Sequence, residues 1–352
     1  MTSASFIGSQ KRRQRLLNFL ADGKFHSGEA LARRLRISRS AIWKLVGALR
    51  EQGVEIQSVP RQGYRLPREV DLLDRASIET ALDESAKRTV ANIDVLMTVD
   101  STNQFLVDAL PDGQNTAHLC TAEIQTSGRG RRGRSWVAPF GSGICMSLAW
   151  QFAELPPQFS ALSLAVGVAI VRALERFGLS GVQLKWPNDL LWQQRKLGGI
   201  LIEMRGESSG PARVVIGIGL NTRMPSQIRL QLAEQQATLI ADVYEVLREK
   251  TPTRNELIAA IASELVTLLQ LFARHGFAPL IDQWRALDAL ADAEVKIASG
   301  NDSMFGIARG VEEDGSLRVE VDGTIKKFVS GEVSVRRGPR PMRPPPARTG
   351  GS

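Results

Sequence analysis

The chain is short of the residues that build covalent and metal scaffolds. Its 352 residues include two cysteines, Cys120 and Cys145, and three histidines, His26, His118 and His275. Two cysteines are too few for a disulfide framework. Three histidines so far apart in sequence give no zinc-like spacing. Long hydrophobic runs are also missing. The longest apolar stretch free of charge, Phe159–Val171, is too short to span a bilayer. Lys11-Arg12-Arg13 is followed by no apolar segment of signal-peptide length. The expectation is a cytoplasmic protein with no membrane partner. The 43% apolar fraction is ordinary, which excludes wholesale disorder and fibrous folds, and the length suggests two or three domains.

Charge is unevenly placed. Residues 11–67 hold 13 Lys/Arg against four acids, a net +9. The tail 336–352 holds five Arg and no acid, so the total of +8 leaves the middle at −6. A basic end on a mildly acidic body suggests a nucleic-acid module carried by something else, the alternative being a solvated basic surface.

The N-terminal pattern is that of a winged helix. A first helix around Arg15–Ala21 stops at Gly23. Ser27 can cap a second, with Ala30, Leu31 and Leu35 on one face. A third carries Ile42, Leu45, Val46 and Leu49 inward, and a hairpin turns at Arg61-Gln62-Gly63. The second helix of such a helix–turn–helix pair lies in the major groove. Its outward residues are Arg39, Ser40, Trp43, Lys44 and Arg50, with Arg61 and Arg65 on the hairpin placed for backbone phosphates. The other use of such a domain is packing or dimerisation.

The chemistry is concentrated between about 70 and 288. A strand over Val90–Val99 runs into Asp100-Ser101-Thr102-Asn103-Gln104. The Ser101/Gln104 spacing predicts a capping box that opens a helix to Leu110. Such a helix start offers free N–H groups and small hydroxyls to a ligand, or serves only as a cap. After a strand at Leu119–Ile124 comes Gln125-Thr126-Ser127-Gly128-Arg129-Gly130-Arg131-Arg132-Gly133-Arg134-Ser135-Trp136. Literally this contains G-x-G-x-x-G, but a dinucleotide fingerprint needs a helix to follow, and a strand at Gly143–Gln151 follows instead. The segment predicts a loop with four fixed positive charges, mobile when empty. Glycine lets backbone approach a ligand, and Arg pairs bidentately with phosphate or carboxylate. A basic tether or nucleic-acid loop is the alternative. An apolar helix at Phe159–Phe177 and hairpin strands at 182–186, 190–192, 197–204 and 214–220 then predict an antiparallel sheet with helices on one face, an α+β layer. Lys185, Asp189, Lys196 and Asn221 all fall at strand ends, where a site could converge.

Five ordered strings now resemble the bacterial biotin–protein ligases: Asp100–Gln104, Gly128–Arg134, Lys185–Asp189, Arg195–Leu201 and Gly217–Asn221. With the winged helix in front, the chain is similar to the bifunctional branch that also represses biotin synthesis. The resemblance covers roughly residues 10–337. It implies a class II synthetase-like α+β catalytic domain and a C-terminal SH3-like β-barrel. It implies adenylation of biotin by ATP with Mg²⁺, then transfer to a lysine of the biotin carboxyl carrier protein of acetyl-CoA carboxylase. It also implies operator DNA as a partner and a homodimer in the adenylate-bound state. By resemblance, Ser101, Thr102, Asn103, Gln125, Arg129, Gly130 and Arg131 lie on the biotin and adenylate site. Lys196, Arg131 and Asp189 would be catalytic, with Asp189 the candidate Mg²⁺ ligand. Lys185, Asn188, Asn221 and Trp136 would lie on the ATP side. A lipoyl ligase would share the core but not the glycine–arginine loop with a winged helix. A ligase that no longer regulates, or a non-catalytic biotin sensor, are the other readings. One departure stands out: no Trp occurs between Asn221 and Trp284, whereas the best-known bifunctional member closes a Trp-bearing loop over the adenine.

Four alternating segments from Ala293 to Val335, with turns at Gly300-Asn301, Asp314-Gly315 and Asp322-Gly323, predict the small C-terminal barrel. The expected domains are 1–69, 70–288 and 289–337, followed by a disordered Pro/Arg/Gly-rich tail, 338–352.

Overall fold

The computed structural model describes residues 3–109, 117–156, 158–205, 211–236, 238–299, 302–330 and 334–338. The tail from 339 and the Gly300-Asn301 turn lie outside the described residues.

The N-terminal unit is α1 (Ser3–Leu20), α2 (Gly28–Leu35), α3 (Arg39–Glu51) and the hairpin β1 (Gln57–Val59) with β2 (Gly63–Arg65). Ser27 and Ser38 accept from the backbone N–H of Ala30 and Ala41, both at 3.1 Å, so each helix starts where a short hydroxyl satisfies an orphan donor. Leu16, Leu17, Leu20, Leu31, Ile42 and Leu49 are buried together. The same cluster takes in Val70 and Ile124, which seats the winged helix on the body of the protein. Arg68 reinforces that seat by donating to the carbonyls of Gly141 (2.9 Å) and Arg223 (3.1 Å).

The central unit runs α4 (Arg75–Ala81), α5 (Glu84–Thr89), β3 (Val90–Val99), α6 (Thr102–Ala109), β4 (Ala117–Gln125), β5 (Gly143–Phe152), α7 (Leu162–Glu175), β6 (Val182–Lys185), β7 (Asp189–Trp192), β8 (Arg195–Arg205), β9 (Ala212–Asn221), α8 (Ser226–Gln236), α9 (Val243–Leu247), α10 (Arg254–His275) and α11 (Ile281–Ala286). Its seven strands are ordered β3-β4-β5-β9-β8-β7-β6. The sheet is mixed, not antiparallel throughout: β3 and β4 are parallel, because α6 carries the chain back to the starting end between them. The helices are not confined to one face either. Strand alternation explains how. Ile144, Met146 and Leu148 of β5 and Ile216 and Ile218 of β9 join the main core, where α7 and α10 pack. Ala149 and Val215 point the other way, against Leu106 of α6. α10 is long and apolar enough to cross a membrane, but it is a core helix, with Leu257, Ile258, Ile261, Leu265 and Leu269 fully buried.

The C-terminal unit is a five-stranded antiparallel sheet ordered β13-β12-β11-β10-β14, from β10 (Glu294–Ser299), β11 (Asp302–Val311), β12 (Leu317–Val321), β13 (Thr324–Phe328) and β14 (Ser334–Arg337). The single strand expected over Ile325–Val335 is two.

Candidate active site

The site lies on the α6 face of the central sheet. Twelve residues singled out from the sequence line one cleft there: Ser101, Thr102, Asn103, Gln125, Arg129, Gly130, Arg131, Trp136, Asn188, Asp189, Lys196 and Asn221. Lys185 does not line it; it pairs in register with Asp189 across the β6–β7 hairpin.

The floor is β9, and it is built of glycine for a steric reason. A Cβ on Gly217 would stand 2.2 Å from Asn103 Oδ1, and one on Gly219 would stand 2.3 Å from the Trp136 ring. Both side chains therefore lie flat on bare backbone. Gly219→Ala should cost about 1–3 kcal/mol of stability through overpacking, read as a lower melting temperature. Gly47→Ala in α3, with nothing within 4 Å, should not lower it.

One end of the cleft is small and polar. The expected capping box does not form, because Gln104 Nε2 donates one turn on, to Asp108 Oδ1 at 2.7 Å. Instead Gln125 Oε1 accepts from the Thr102 N–H (2.8 Å), so a side chain from β4 caps α6. Ser147 Oγ sits 2.7 Å from Thr102 Oγ1 and 2.6 Å from Asn103 Oδ1. Asn103 Nδ2 donates to Glu203 Oε2 (2.7 Å) and Leu201 O (3.2 Å). Ser147 and Glu203 carry no motif of their own, and only the register of β5, β8 and β9 brings them here. Cys145 also lines the recess, but burial pushes its thiol up to about 12, so it is no nucleophile at neutral pH.

The other end is cationic. The 128–134 loop is folded: Trp136 N–H bonds Gly128 O at 2.9 Å, and Arg132 and Gly133 take φ of +57° and +71°. Arg129 Nη2 reaches Glu203 Oε2 at 3.2 Å. Arg131 Nη2 donates to Ser330 O of the C-terminal sheet unit at 2.6 Å. Burial, then the neighbouring Arg134, lowers the Arg131 pKa. Lys196 Nζ lies 2.6 Å from Asp189 Oδ1. It sits beside a register irregularity between β7 and β8, a device that re-aims side chains.

Asn221 and Asn188 turn out to be latches. Asn221, nearly fully buried, donates to Lys196 O (3.0 Å) and Ala241 O (3.1 Å), and Asn188 Nδ2 donates to Ile200 O (2.6 Å). Beyond Asn221 the cleft wall is aliphatic, from Leu232 and Ile240 with Thr238. Asp189 is paired with Lys196, and among the described residues no group of three or more His, Cys, Asp or Glu could hold a metal ion, so a magnesium ion here would rest on nucleotide phosphates and water with Asp189 as its one candidate carboxylate.

On the winged helix, Arg39, Ser40, Trp43 and Lys44 are exposed along α3, Trp43 at 68%, and Arg61 is exposed at the hairpin turn. Two further arginines are engaged by neighbours, Arg50 while still exposed and Arg65 half-buried. Arg50 donates to Ile56 O at 2.6 Å, and Arg65 stacks 4.5 Å over Phe25 while donating to Gln57 Oε1 at 2.7 Å. Both contacts fasten neighbouring parts of the winged helix to one another.

Known proteins show the same organisation. Sequence profiles match residues 12–65 to an HTH domain, 95–221 to the biotin/lipoate A/B protein ligase family, and 293–336 to the biotin protein ligase C-terminal domain. The bifunctional ligase/repressor BirA of Salmonella typhimurium is 39% identical over 91% of this chain and 96% of its own. BirA of Bacillus subtilis is 30% identical over 90% and 95%. The solved biotin protein ligase of Aquifex aeolicus, in complex with biotin and ATP, superposes with a TM-score of 0.58 at 28% identity, covering 70% of this chain and all of that one. Profiles, relatives at full length and the cleft on the α6 face agree: the chain belongs to the biotin protein ligase family, in its bifunctional ligase/repressor branch.

Proposed function

We propose that this protein is an ATP-dependent, cytoplasmic biotin–protein ligase that also represses transcription through its winged helix. The observation that carries the ligase reading is one cleft with a small polar recess at one end and Arg129, Arg131 and Lys196 at the other. Ser101, Thr102, Asn103 and Gln125 supply the donors and acceptors that a ureido ring needs. In the first step the biotin carboxylate oxygen attacks the α-phosphorus of ATP. The bond to the bridging oxygen breaks and pyrophosphate leaves. The carboxylate is already ionised at pH 7, so no base is required. What the step needs is positive charge between two anions, and Lys196, Arg129 and Arg131 hold it. In the second step a lysine amine of the carboxyl carrier protein of acetyl-CoA carboxylase attacks the acyl carbon. AMP leaves, and the amine gives up a proton. The aliphatic wall at Leu232 and Ile240 would cover the adenine, in place of an aromatic stack.

The test is incubation with ATP, labelled biotin and a carrier domain. Label on the carrier lysine is expected; label on neither protein would refute the ligase. A second expectation concerns retention. Arg131 ties the loop to Ser330. Arg131→Gly removes that tie and one cation while leaving Lys196, so the acyl-adenylate should form but escape and acylate bystander lysines. Equal bystander labelling by mutant and wild type, at matched adenylate output, would count against this.

A further inference from the structure

Glu203 lies on β8, outside every sequence motif, yet it holds two site residues through one oxygen. Glu203 Oε2 accepts from Asn103 Nδ2 at 2.7 Å and from Arg129 Nη2 at 3.2 Å. Asn103 is 3% exposed, so its amide cannot turn to bulk water for partners. Its two N–H groups are both used, on Glu203 and on Leu201 O, and Ser147 Oγ lies 2.6 Å from its oxygen. A flipped amide would set oxygen against a carboxylate and a carbonyl. The network therefore leaves Asn103 able only to accept, through a remaining Oδ1 lone pair.

We propose that Glu203 is a positioning residue for biotin: it fixes the Asn103 amide with its oxygen toward the recess, so that Asn103 reads a ureido N–H. The inference rests on the biotin-ligase reading. Glu203 also parks Arg129, so the recess and the anion-binding loop share one anchor. A carboxylate is suited to this, since charge-assisted bonds are the stronger ones and its two oxygens accept only. Without it, the amide keeps the longer bond to Leu201 O and the contact with Ser147 Oγ, a hydroxyl that can pair with either amide edge, so its orientation is held less firmly.

The test is calorimetric titration of biotin with single-turnover adenylation on the full-length protein. Glu203→Ala should raise the biotin Kd roughly 10- to 100-fold, the range a hydrogen bond to a charged group supports. The adenylation rate at saturating biotin should fall by less than the affinity does, because Lys196 and Arg131 keep their own partners and only the tether of Arg129 is lost. Glu203→Gln, which still offers an oxygen to Asn103, should recover most of the affinity. Glu203→Thr suits a strand but cannot reach Asn103. It carries the same expectation as Ala and serves if the Ala variant fails to fold. A Kd within twofold of wild type in both short variants would overturn the proposal. So would a Gln variant no better than Ala, or equal loss of affinity and saturated rate. Wild-type protein that binds biotin without transferring it would sink the ligase reading alone; wild-type protein that binds no biotin would sink both.

Discussion

Replacing Lys196 with Ala is expected to slow adenylate formation by roughly 10²–10³-fold, the usual loss when one preorganised donor to a developing charge is removed. The lysine is fixed from three directions. Its N–H donates to Leu239 O (2.7 Å), its carbonyl accepts from Asn221 Nδ2 and the Ala241 N–H (both 3.0 Å), and Asp189 holds Nζ at 2.6 Å. A cation held this way needs little reorganisation when carboxylate and phosphate meet. Lys196→Arg should rescue poorly, because a planar fork cannot replace a point charge at that spacing. Biotin-dependent exchange of pyrophosphate into ATP measures the step directly. A Lys196→Ala rate within threefold of wild type would remove Lys196 from the chemistry.

The candidate catalytic cluster was legible where chemistry is written in runs of adjacent residues. Gly128–Arg134 declares a loop of fixed charge near an anion, and Lys196 stands at a strand start beside a turn. Residues that act across the sheet were not legible. Glu203 and Ser147 reach Asn103 only because β8 and β5 flank β9, and that order is not carried by local periodicity. The same limit explains the parallel β3–β4 pair, which depends on where the chain goes after α6. Side-chain direction was the other limit. Ser101 and Gln104 have capping-box spacing, but Asp108 lies one helical turn beyond Gln104 and takes its amide. Arg65 has the charge for a phosphate contact, but Phe25 and Gln57 hold it. Asn221 marks the nucleotide side in the family pattern, while its amide here fastens the Lys196 backbone.

Tight, sequence-specific DNA binding is expected only when biotinyl-adenylate is bound. Arg129 is parked on Glu203 and Arg131 on Ser330 O, so an adenylate phosphate has partners to draw away. That is the differential contact a ligand needs to shift a conformational equilibrium. If the reordered loop completes a dimer surface, two winged helices meet two half-sites, and joining them can strengthen binding 10²- to 10⁴-fold by effective concentration alone. Salt sets a quantitative check. Arg39, Lys44 and Arg61 are exposed, whereas Arg65 is held by Gln57 and Phe25. Three cations per protomer give about six phosphate contacts per dimer and a log–log salt slope near roughly −5. Lys44→Ala should reduce that slope by about two, one contact per protomer, and Arg65→Ala should leave it unchanged. An aliphatic wall at Leu232 and Ile240 would grip adenine less specifically than an aromatic stack, so the coupling should be weaker than in relatives with a tryptophan in that loop. Coupling is reciprocal: a palindromic operator should tighten dimerisation by the factor by which dimerisation tightens operator binding. Sedimentation velocity with and without adenylate, paired with operator titrations, decides the matter. A protein that stays monomeric, or a dimer with the same operator affinity in both states, would eliminate the switch and leave the ligase intact.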